Sequence, residues 1–252
     1  MDLSIVIPAF EESKKIARDI EQAAGFLTSH NISGEIIIVD DGSKDNTSET
    51  AKNADIPGDV ELHVIRYEPH RGKGFAVRKG IEKTSGDYVM FADSGSCVPY
   101  KDTLAGLDLI KRGQCDIAHG SRKTSGSNIG KHQSFHRRFC SNIFHWFIVH
   151  DLKIPEELAD TQCGFKIYKG DIARHLYSEC RIDGFVFDIE IIMLALKEGY
   201  RIKEFPINWT CDPDTRLSPS RSSWQIFKDL IKIRKNIKNM KVSKIPLSLF
   251  IC

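Results

Sequence analysis

The sequence lacks a long hydrophobic run, an excess of charge of one sign and any close pair of cysteines. No apolar stretch approaches the roughly 18 residues that a membrane-spanning helix needs, so we expect a soluble or peripheral protein. The 36 basic and 34 acidic residues nearly cancel, which argues against a general nucleic-acid binder. The seven cysteines are scattered without a Cys-x-x-Cys pair. That pattern favours reduced thiols in the cytosol over disulfides or a zinc site.

The composition suits one large α/β domain, because the chain has 252 residues of which 41% are hydrophobic. The chain starts directly with MDLSIVIPAF, from which we predict no signal peptide. Three segments are nevertheless basic, namely HRGKGFAVRK, GKHQSFHRR and the tail FKDLIKIRKNIKNMKVSK. Such segments are most often solvated faces, but they also suit phosphates or the surface of an anionic membrane.

Short β-branched runs alternate with helical patterns in the first half of the chain. The predicted strands are LSIVIP, EIIIVDD, ELHVIRY, DYVMFAD and CDIAHGS, and the predicted helices cover about 13–29, 73–84 and 102–112, with another after Asp45. This alternation indicates a mostly parallel sheet covered by helices on both faces. Ligands bind such sheets outside the carboxyl ends of the strands. We therefore expect functional residues in PAFEE, DDGSKDNT, HRGKG, ADSGS and HGSR.

The pattern changes after residue 121. Arg137 and Arg138 precede an aromatic stretch near 135–150 that is either an ordinary core helix or an interfacial helix, with its arginines at lipid phosphates. A turn segment DTQCGFKIY, a helix around FVFDIEIIMLALKEG, a strand RIKEFPINW and a basic helix from about 222 to 240 are predicted to follow. Asp188 and Glu190 in the first of these helices either support the site from behind or lie on the surface.

Two strand ends carry groups suited to a nucleotide. Asp40 and Asp41 end a hydrophobic strand, where a carboxylate can accept hydrogen bonds from a base or a ribose. Two adjacent carboxylates at this point favour that role over a simple turn. Glycines flank Lys73 directly before a predicted helix, and together with Arg71 this segment suits a diphosphate. The segment lacks the spacing of a Walker loop, so a glycine-rich turn remains an alternative.

Asp93 ends another strand, and Ser94, Gly95 and Ser96 follow it. A metal-assisted enzyme usually carries two acids one residue apart at this edge, and here Gly95 stands where the second acid would be. Mg²⁺ commonly uses one or two carboxylates together with substrate phosphates. We expect Asp93 to hold Mg²⁺ or Mn²⁺ weakly, with a metal-independent site as the alternative.

Together these segments resemble the inverting nucleotide-sugar glycosyltransferases of family two. The matching pieces are SIVIPAFEE, IIIVDDGSKDNT, RGKGFAVRKG, GDYVMFAD and GSR. The later pieces DTQCGFKIY, FVFDIEIIMLA and INWTCDPDTRLSPSRSSWQIFKDLIKIR resemble the branch that glucosylates dolichyl phosphate and its polyprenyl-phosphate relatives. The resemblance runs from about Leu3 to Arg234. It implies a single nucleotide-binding domain of the GT-A type.

The resemblance also implies roles for individual residues. The nucleotide-sugar site would comprise Pro8, Ala9, Glu11, Asp40, Asp41, Arg71, Lys73, Asp93 and Ser94. The acceptor phosphate would meet Arg122, Arg137, Arg138 and Arg216. Asp160 matches the acid near the reacting centre, and Asp93 matches the first acid of the metal-binding element. A phosphate monoester is largely dianionic at neutral pH, so Asp160 is better suited to orienting groups than to acting as a base.

The expected function is transfer of a hexose or N-acetylhexosamine from a nucleotide-sugar, UDP- or GDP-linked, to polyprenyl phosphate. The expected location is cytoplasmic, at the cytoplasmic face of a membrane. Two alternatives are transfer to a sugar hydroxyl and a nucleotide-sugar-binding module without activity. We expect a glycosyltransferase domain over 1–240 and a tail over 241–252. Within the domain, 1–121 would bind the nucleotide-sugar and 122–240 the acceptor.

Overall fold

The first half of the chain alternates strands with helices, as the sequence predicts. The computed structural model describes residues 1–130, 152–210 and 219–239. The strands are β1 (Leu3–Ala9), β2 (Gly34–Asp40), β3 (Glu61–Arg66), β4 (Tyr88–Ala92), β5 (Ile117–Ser121) and β6 (Asn128–Ile129). The helices are α1 (Ile16–Ser29), α2 (Thr47–Lys52), α3 (Lys73–Ile81) and α4 (Thr103–Lys111). The predicted elements are therefore confirmed, with helix ends that differ by a few residues.

The second half contributes three strands and three helices among the described residues. The strands are β7 (Phe165–Lys169), β8 (Ile202–Pro206) and β9 (Asn208–Trp209), and the helices are α5 (Gly170–Glu179), α6 (Phe187–Lys197) and α7 (Pro219–Asn239). The main sheet has the order β3-β2-β1-β4-β7-β5-β8. β7 runs antiparallel to β4 and β5, while the other neighbouring strands are parallel. The predicted mostly parallel sheet is confirmed.

The prediction of a turn over DTQCGFKIY is wrong in its second half, because β7 is a central strand. Phe165 and Ile167 pack into the core on one face of the sheet, and Lys166 and Tyr168 are buried on the other. Residues 160–164 are turn-forming, and the prediction extended the turn from them into 165–168. The strand takes its shape from hydrogen bonding to β4 and β5 on both sides, which local sequence does not encode.

A hydrophobic core lies on each face of the main sheet. One contains α3, α5, α6 and α7, and the other contains α1 and α4. Because helices cover both faces, loops at the carboxyl ends of the strands are the part of the sheet left open to a ligand.

Several predicted features lie outside the described residues. These are Arg137, Arg138, Arg216, the stretch near 135–150 and the tail 241–252. Within the described ranges, no helix combines the length and the apolar character needed to cross a membrane.

The central position of β7 predicts the stability of one variant. Ile167→Ala should lower the free energy of unfolding by about 2–5 kcal/mol, because it opens a cavity beneath the sheet. Ile231→Ala on α7 is the matched control: Ile231 is 54% exposed, so its loss should change stability by about 0.5 kcal/mol or less. Urea unfolding measures both. Equal small effects would mean that 165–169 forms no central strand.

Candidate active site

The loops after β1 and β2 are joined by hydrogen bonds. Glu11 N–H donates to Ser43 Oγ (2.8 Å), and Glu12 N–H donates to Thr47 Oγ1 (2.8 Å). Glu11 has a φ of 54°, in the left-handed region that non-glycine residues rarely occupy. The loop that contains the predicted base-binding residue Glu11 is therefore shaped by the loop that follows Asp40. The neighbouring predicted residues Pro8 and Ala9 are buried at the end of β1.

The carboxylates of Asp40 and Asp41 both accept hydrogen bonds from other groups of the chain. Asp40 is fully buried, and its oxygens accept hydrogen bonds from Ser43 N–H (2.9 Å) and Ser48 Oγ (2.5 Å). Asp41 accepts the backbone N–H groups of Arg71 and Gly72, each at 2.7 Å. In this structure Asp40 shapes its own turn. Asp41 holds the segment that precedes α3.

An aromatic pair stands beside Asp41. His70 Nδ1 lies 2.9 Å from Asp41 Oδ2, and the His70 ring lies 4.2 Å from the Phe10 ring, centroid to centroid. Both residues lie in segments expected to be functional, PAFEE and HRGKG, but neither was itself predicted to be a site residue. The histidine that begins HRGKG is a weak signal by itself, since a single histidine is common in a loop. The pairing depends on two loops that are distant in sequence.

Arg71 is anchored by a residue from the second half of the chain. Its guanidinium lies 2.8 Å from Asp183 Oδ2, and the other oxygen of Asp183 pairs with Arg78 at 2.5 Å. Arg71 also stacks over the Phe75 ring at 3.8 Å. These contacts fix the direction of the arginine, with 46% of its side chain exposed.

Lys73 and Asp93 form the ion pair at the centre of the site. Lys73 Nζ lies 2.5 Å from Asp93 Oδ1, where α3 begins and β4 has just ended. Burial alone would lower the pKa of Lys73, but the carboxylates of Asp93 and Asp188 outweigh burial and raise that pKa above its ordinary value. Lys73 is therefore a cation at neutral pH. Asp93 keeps 39% of its side chain exposed.

Asp93 also packs against Gly164, and its position explains why this residue is a glycine. A Cβ atom on Gly164 would lie 2.1 Å from the Asp93 carboxylate. In addition, Asp93 N–H donates to Gly164 O at 2.9 Å. The carboxylate therefore lies directly over the backbone that leads into β7.

The loop after Asp93 is built around a left-handed glycine. Gly95 has a φ of 98° and Ser96 a φ of 49°. Gly95 N–H donates to Asp19 Oδ2 at 2.6 Å, and the Ser96 hydroxyl donates to Asp19 Oδ1. Asp19 belongs to α1 and is 2% exposed. Burial raises the pKa of Asp19 even though both of these hydrogen bonds act to lower it. Ser94, a predicted donor-site residue, is partly exposed in the same loop.

Arg122 and Asp160 form a second ion pair. Asp160 accepts Arg122 N–H at 2.8 Å and two guanidinium hydrogen bonds at 2.7 Å each, and its own N–H donates to Glu204 (2.7 Å). The Arg122 guanidinium lies 5.4 Å from the Trp209 ring. Burial alone would raise the pKa of Asp160, but the bonds from Arg122 outweigh it and the pKa is lowered. Asp160 is an ionised, fully engaged carboxylate.

A third ion pair lies behind Asp93 and was not predicted. Lys166 Nζ donates to Asp188 Oδ1 at 2.7 Å and to Cys163 O at 2.6 Å. Lys166 and Asp188 are 1% and 2% exposed, so Asp188 supports the site from behind and is not a surface carboxylate. Lysine and aspartate within apolar patterns were the available signal, since such residues are seldom buried unless paired. The two partners are 22 residues apart, which no local pattern reveals.

Glu190, the other acid of α6, is also buried. It accepts the backbone N–H groups of Arg181 and Ile182 at 2.8 Å each. It therefore orders the loop that carries Asp183. The surface alternative is excluded for this residue as well.

The described residues at this edge do not by themselves form a ligand set for a divalent cation. Asp93 is a single carboxylate that already neutralises the Lys73 ammonium group, and Gly95 offers none. In the part of the chain that the structure describes, the metal-type side chains with ligand atoms within 4.8 Å of one another are Glu35, Glu61 and His63. They lie on β2 and β3, towards the amino ends of the strands. That cluster is remote from Asp93.

Two of the solved enzymes that share this fold are synthases of phosphoglycerate glycosides. Glucosyl-3-phosphoglycerate synthase from Mycobacterium tuberculosis, solved with Mn²⁺, uridine diphosphate and phosphoglyceric acid, has a TM-score of 0.69 and 17% identity over 96% of this chain and 80% of its own. Mannosyl-3-phosphoglycerate synthase from Rubrobacter xylanophilus has a TM-score of 0.70 and 15% identity over 100% and 78%. Identities this low show the fold alone. That fold is the GT-A type of the glycosyltransferases, as the sequence predicts.

The chain belongs to glycosyl transferase family 2, whose family model matches residues 4–177. The dolichyl-phosphate beta-glucosyltransferase of Dictyostelium discoideum is 32% identical over 242 residues, which cover 92% of this chain and 73% of that protein. The human dolichyl-phosphate beta-glucosyltransferase is 31% identical over 250 residues, covering 92% and 74%. The predicted family is confirmed, and the protein is a glycosyltransferase.

The contact between Asp93 and Gly164 predicts the effect of one added methyl group. Gly164→Ala should push the Asp93 carboxylate away from Lys73 and cost about 1–3 kcal/mol of stability by overpacking. Gly58→Ala is the control, because a Cβ atom on Gly58 would have no other atom within 4 Å. Urea unfolding gives the stabilities, and a crystal structure of the variant gives the Lys73–Asp93 distance. An unchanged distance would contradict this account of Gly164.

The second ion pair predicts a pH-dependent loss of stability. Arg122→Met should cost about 3–5 kcal/mol near neutral pH, because it leaves the buried Asp160 carboxylate unpaired. In the wild type the lowered pKa of Asp160 contributes stability above the unfolded pKa of about 3.9. In the variant burial would raise that pKa, so the deficit should shrink as the pH falls towards about 4. Urea unfolding at both pH values measures the change.

Two controls accompany this variant. Arg122→Met combined with Asp160→Leu should be more stable than Arg122→Met alone, because no buried charge is left unpaired. Arg112→Met removes an exposed partner of Asp108 and should cost about 0.5 kcal/mol or less. A deficit of Arg122→Met that stays constant with pH would show that its cause is lost packing and not the carboxylate.

Proposed function

We propose that the protein transfers glucose from UDP-glucose to dolichyl phosphate or a related polyprenyl phosphate, with inversion at the anomeric carbon. The observation that carries the proposal is the state of Asp160, which is ionised and engaged by Arg122 through three hydrogen bonds. Among the described residues, the acid predicted near the reacting centre is therefore a poor base, which suits an acceptor that needs none. The names of the curated relatives supply the same acceptor.

The donor would lie over the loops that follow β1, β2 and β4. Pro8, Ala9 and Glu11 would border the base. Asp41 would act through the segment that it holds, which presents Arg71 and Lys73 at the amino end of α3. A helix amino terminus with an adjacent lysine favours a diphosphate. The nucleoside contacts expected of Asp40 and Asp41 would come from the turns they shape, because their carboxylates already bond to the protein.

The acceptor would approach from the side of Arg122. An oxygen of the lipid phosphate attacks the anomeric carbon, the bond from that carbon to the donor phosphate breaks, and its electrons leave on the nucleoside diphosphate. The phosphate is mostly dianionic at neutral pH, so no proton has to be removed. A single in-line displacement of this kind inverts the anomeric carbon. Positive side chains stabilise the departing diphosphate.

The same geometry disfavours a sugar hydroxyl as the acceptor. A hydroxyl group must lose a proton during attack, which requires a base near the reacting centre. Asp160 was the predicted candidate, and its low pKa and three bonds from Arg122 make it a poor base.

The remaining assignments extend the proposal. Arg137, Arg138 and Arg216 stay predicted contacts of the acceptor phosphate, and the cytoplasmic face of a membrane stays the predicted location. Residues 1–121 would bind the donor and residues 122–240 the acceptor. The divalent ion at Asp93 stays a prediction, with a metal-independent site as the alternative.

The proposal predicts a requirement for the phosphate of the lipid. The protein incubated with labelled UDP-glucose should form labelled glycolipid from dolichyl phosphate and none from dolichol, an acceptor that differs only in the phosphate. Thin-layer chromatography measures the product, and NMR gives its anomeric configuration. GDP-mannose is the donor control. Transfer to dolichol or to a free oligosaccharide would contradict the acceptor, and transfer from GDP-mannose alone would contradict the donor.

A further inference from the structure

We propose that Lys73 is the resident cation of the donor diphosphate site and that this chain binds a UDP-sugar without a divalent ion. The inference rests on the proposed function, because it names the charge that the same donor site uses. It follows from three features of the edge around Asp93.

The first feature is that the loop after Asp93 is adapted to the absence of a second acid. Gly95 takes a left-handed conformation that a side chain would strain. Its N–H and the Ser96 hydroxyl are both held by Asp19 of α1. The Asp19 carboxylate therefore holds the loop in place from the side of α1. Gly95 is part of a loop that is hydrogen-bonded in this way without an acid at position 95.

The second feature is that Lys73 already occupies the position of a counter-ion. Its ammonium group lies 2.5 Å from Asp93 Oδ1, so a divalent ion bound there would have to displace it. On one side the carboxylate lies against Gly164, where a Cβ atom would come within 2.1 Å of it. A divalent ion and an ammonium group competing for one oxygen repel each other. The ammonium group is covalently attached, so its effective concentration at this oxygen does not depend on the ions in solution.

The third feature is that two lysines beside the Phe91 ring are each paired with a carboxylate before the donor arrives. Lys73 and Lys166 both face the Phe91 ring, at 5.8 and 5.3 Å from its centroid. Asp93 and Asp188 balance the two lysines. Lys166 is 1% exposed at its side chain and Lys73 is 20% exposed. The diphosphate therefore meets Lys73, while Lys166 and Asp188 stay behind it as positioning residues.

Titration of UDP followed by calorimetry tests the inference on the intact chain. Wild-type affinity should differ by less than about twofold between EDTA and Mn²⁺. Lys73→Met, which keeps the length of the side chain and removes its charge, should bind UDP at least about tenfold more weakly in EDTA, as expected for a lost charge-assisted hydrogen bond. Mn²⁺ should restore part of that loss, because Asp93 is then free of the lysine. Lys73→Arg should retain most of the affinity.

The matched control is Lys79→Met, which removes an exposed lysine of the same helix that pairs with Glu82 and should bind UDP as the wild type does. A wild-type affinity that falls tenfold or more in EDTA would overturn the inference and leave the proposed function intact. Lys73→Met binding as tightly as the wild type would overturn it too. Failure of the wild type to bind UDP in either condition would overturn both proposals. The wild-type comparison needs no variant, so it can overturn the inference even if Lys73→Met fails to fold.

Discussion

The contact between Lys73 and Asp93 is the constraint on which the arrangement of the site depends. It joins the start of α3 to the end of β4 across 20 residues of sequence, and it requires a glycine at 164 because the carboxylate lies on that backbone. Lys166 and Asp188 form the third ion pair of the site, behind Asp93. Buried charges are tolerated when they are paired and hydrogen-bonded. The central strands of the sheet bring each of these lysines next to a carboxylate.

Carboxylates at this edge act mainly by holding other groups in place. Asp41 orders the segment before α3, Asp160 orders Arg122, Asp183 orders Arg71, and Asp19 orders the loop around Gly95. The result is a surface on which basic side chains and backbone N–H groups are positioned by acids that lie deeper. Such an edge suits reactions between two phosphorylated molecules, because preorganised positive charge both gathers the reactants and stabilises the leaving diphosphate.

The family resemblance and this architecture agree on the class of reaction, and the differences are local. Gly95 stands where the resemblance predicts an acid, and the surrounding loop is well bonded through Asp19. A glycine at position 95 is therefore consistent with a site in which Lys73 supplies the positive charge for the diphosphate. The site does not resemble one that has decayed, since the ion pairs of Arg122 and Lys166 are complete.

Much of the fold could be read from local pattern. Alternating apolar runs with β-branched residues located β1 to β5, and their carboxyl ends located the loops with Asp40, Lys73 and Asp93, because residue periodicity and turn chemistry act over a few residues. The sequence determined which residue types stand at each strand end. The tertiary structure alone decided the central place of β7, the burial of Lys166 and Asp188, and the engagement of Asp160 by Arg122. The two ion pairs join residues that are 22 and 38 positions apart, and pairing over such distances is set by the packing of the whole sheet.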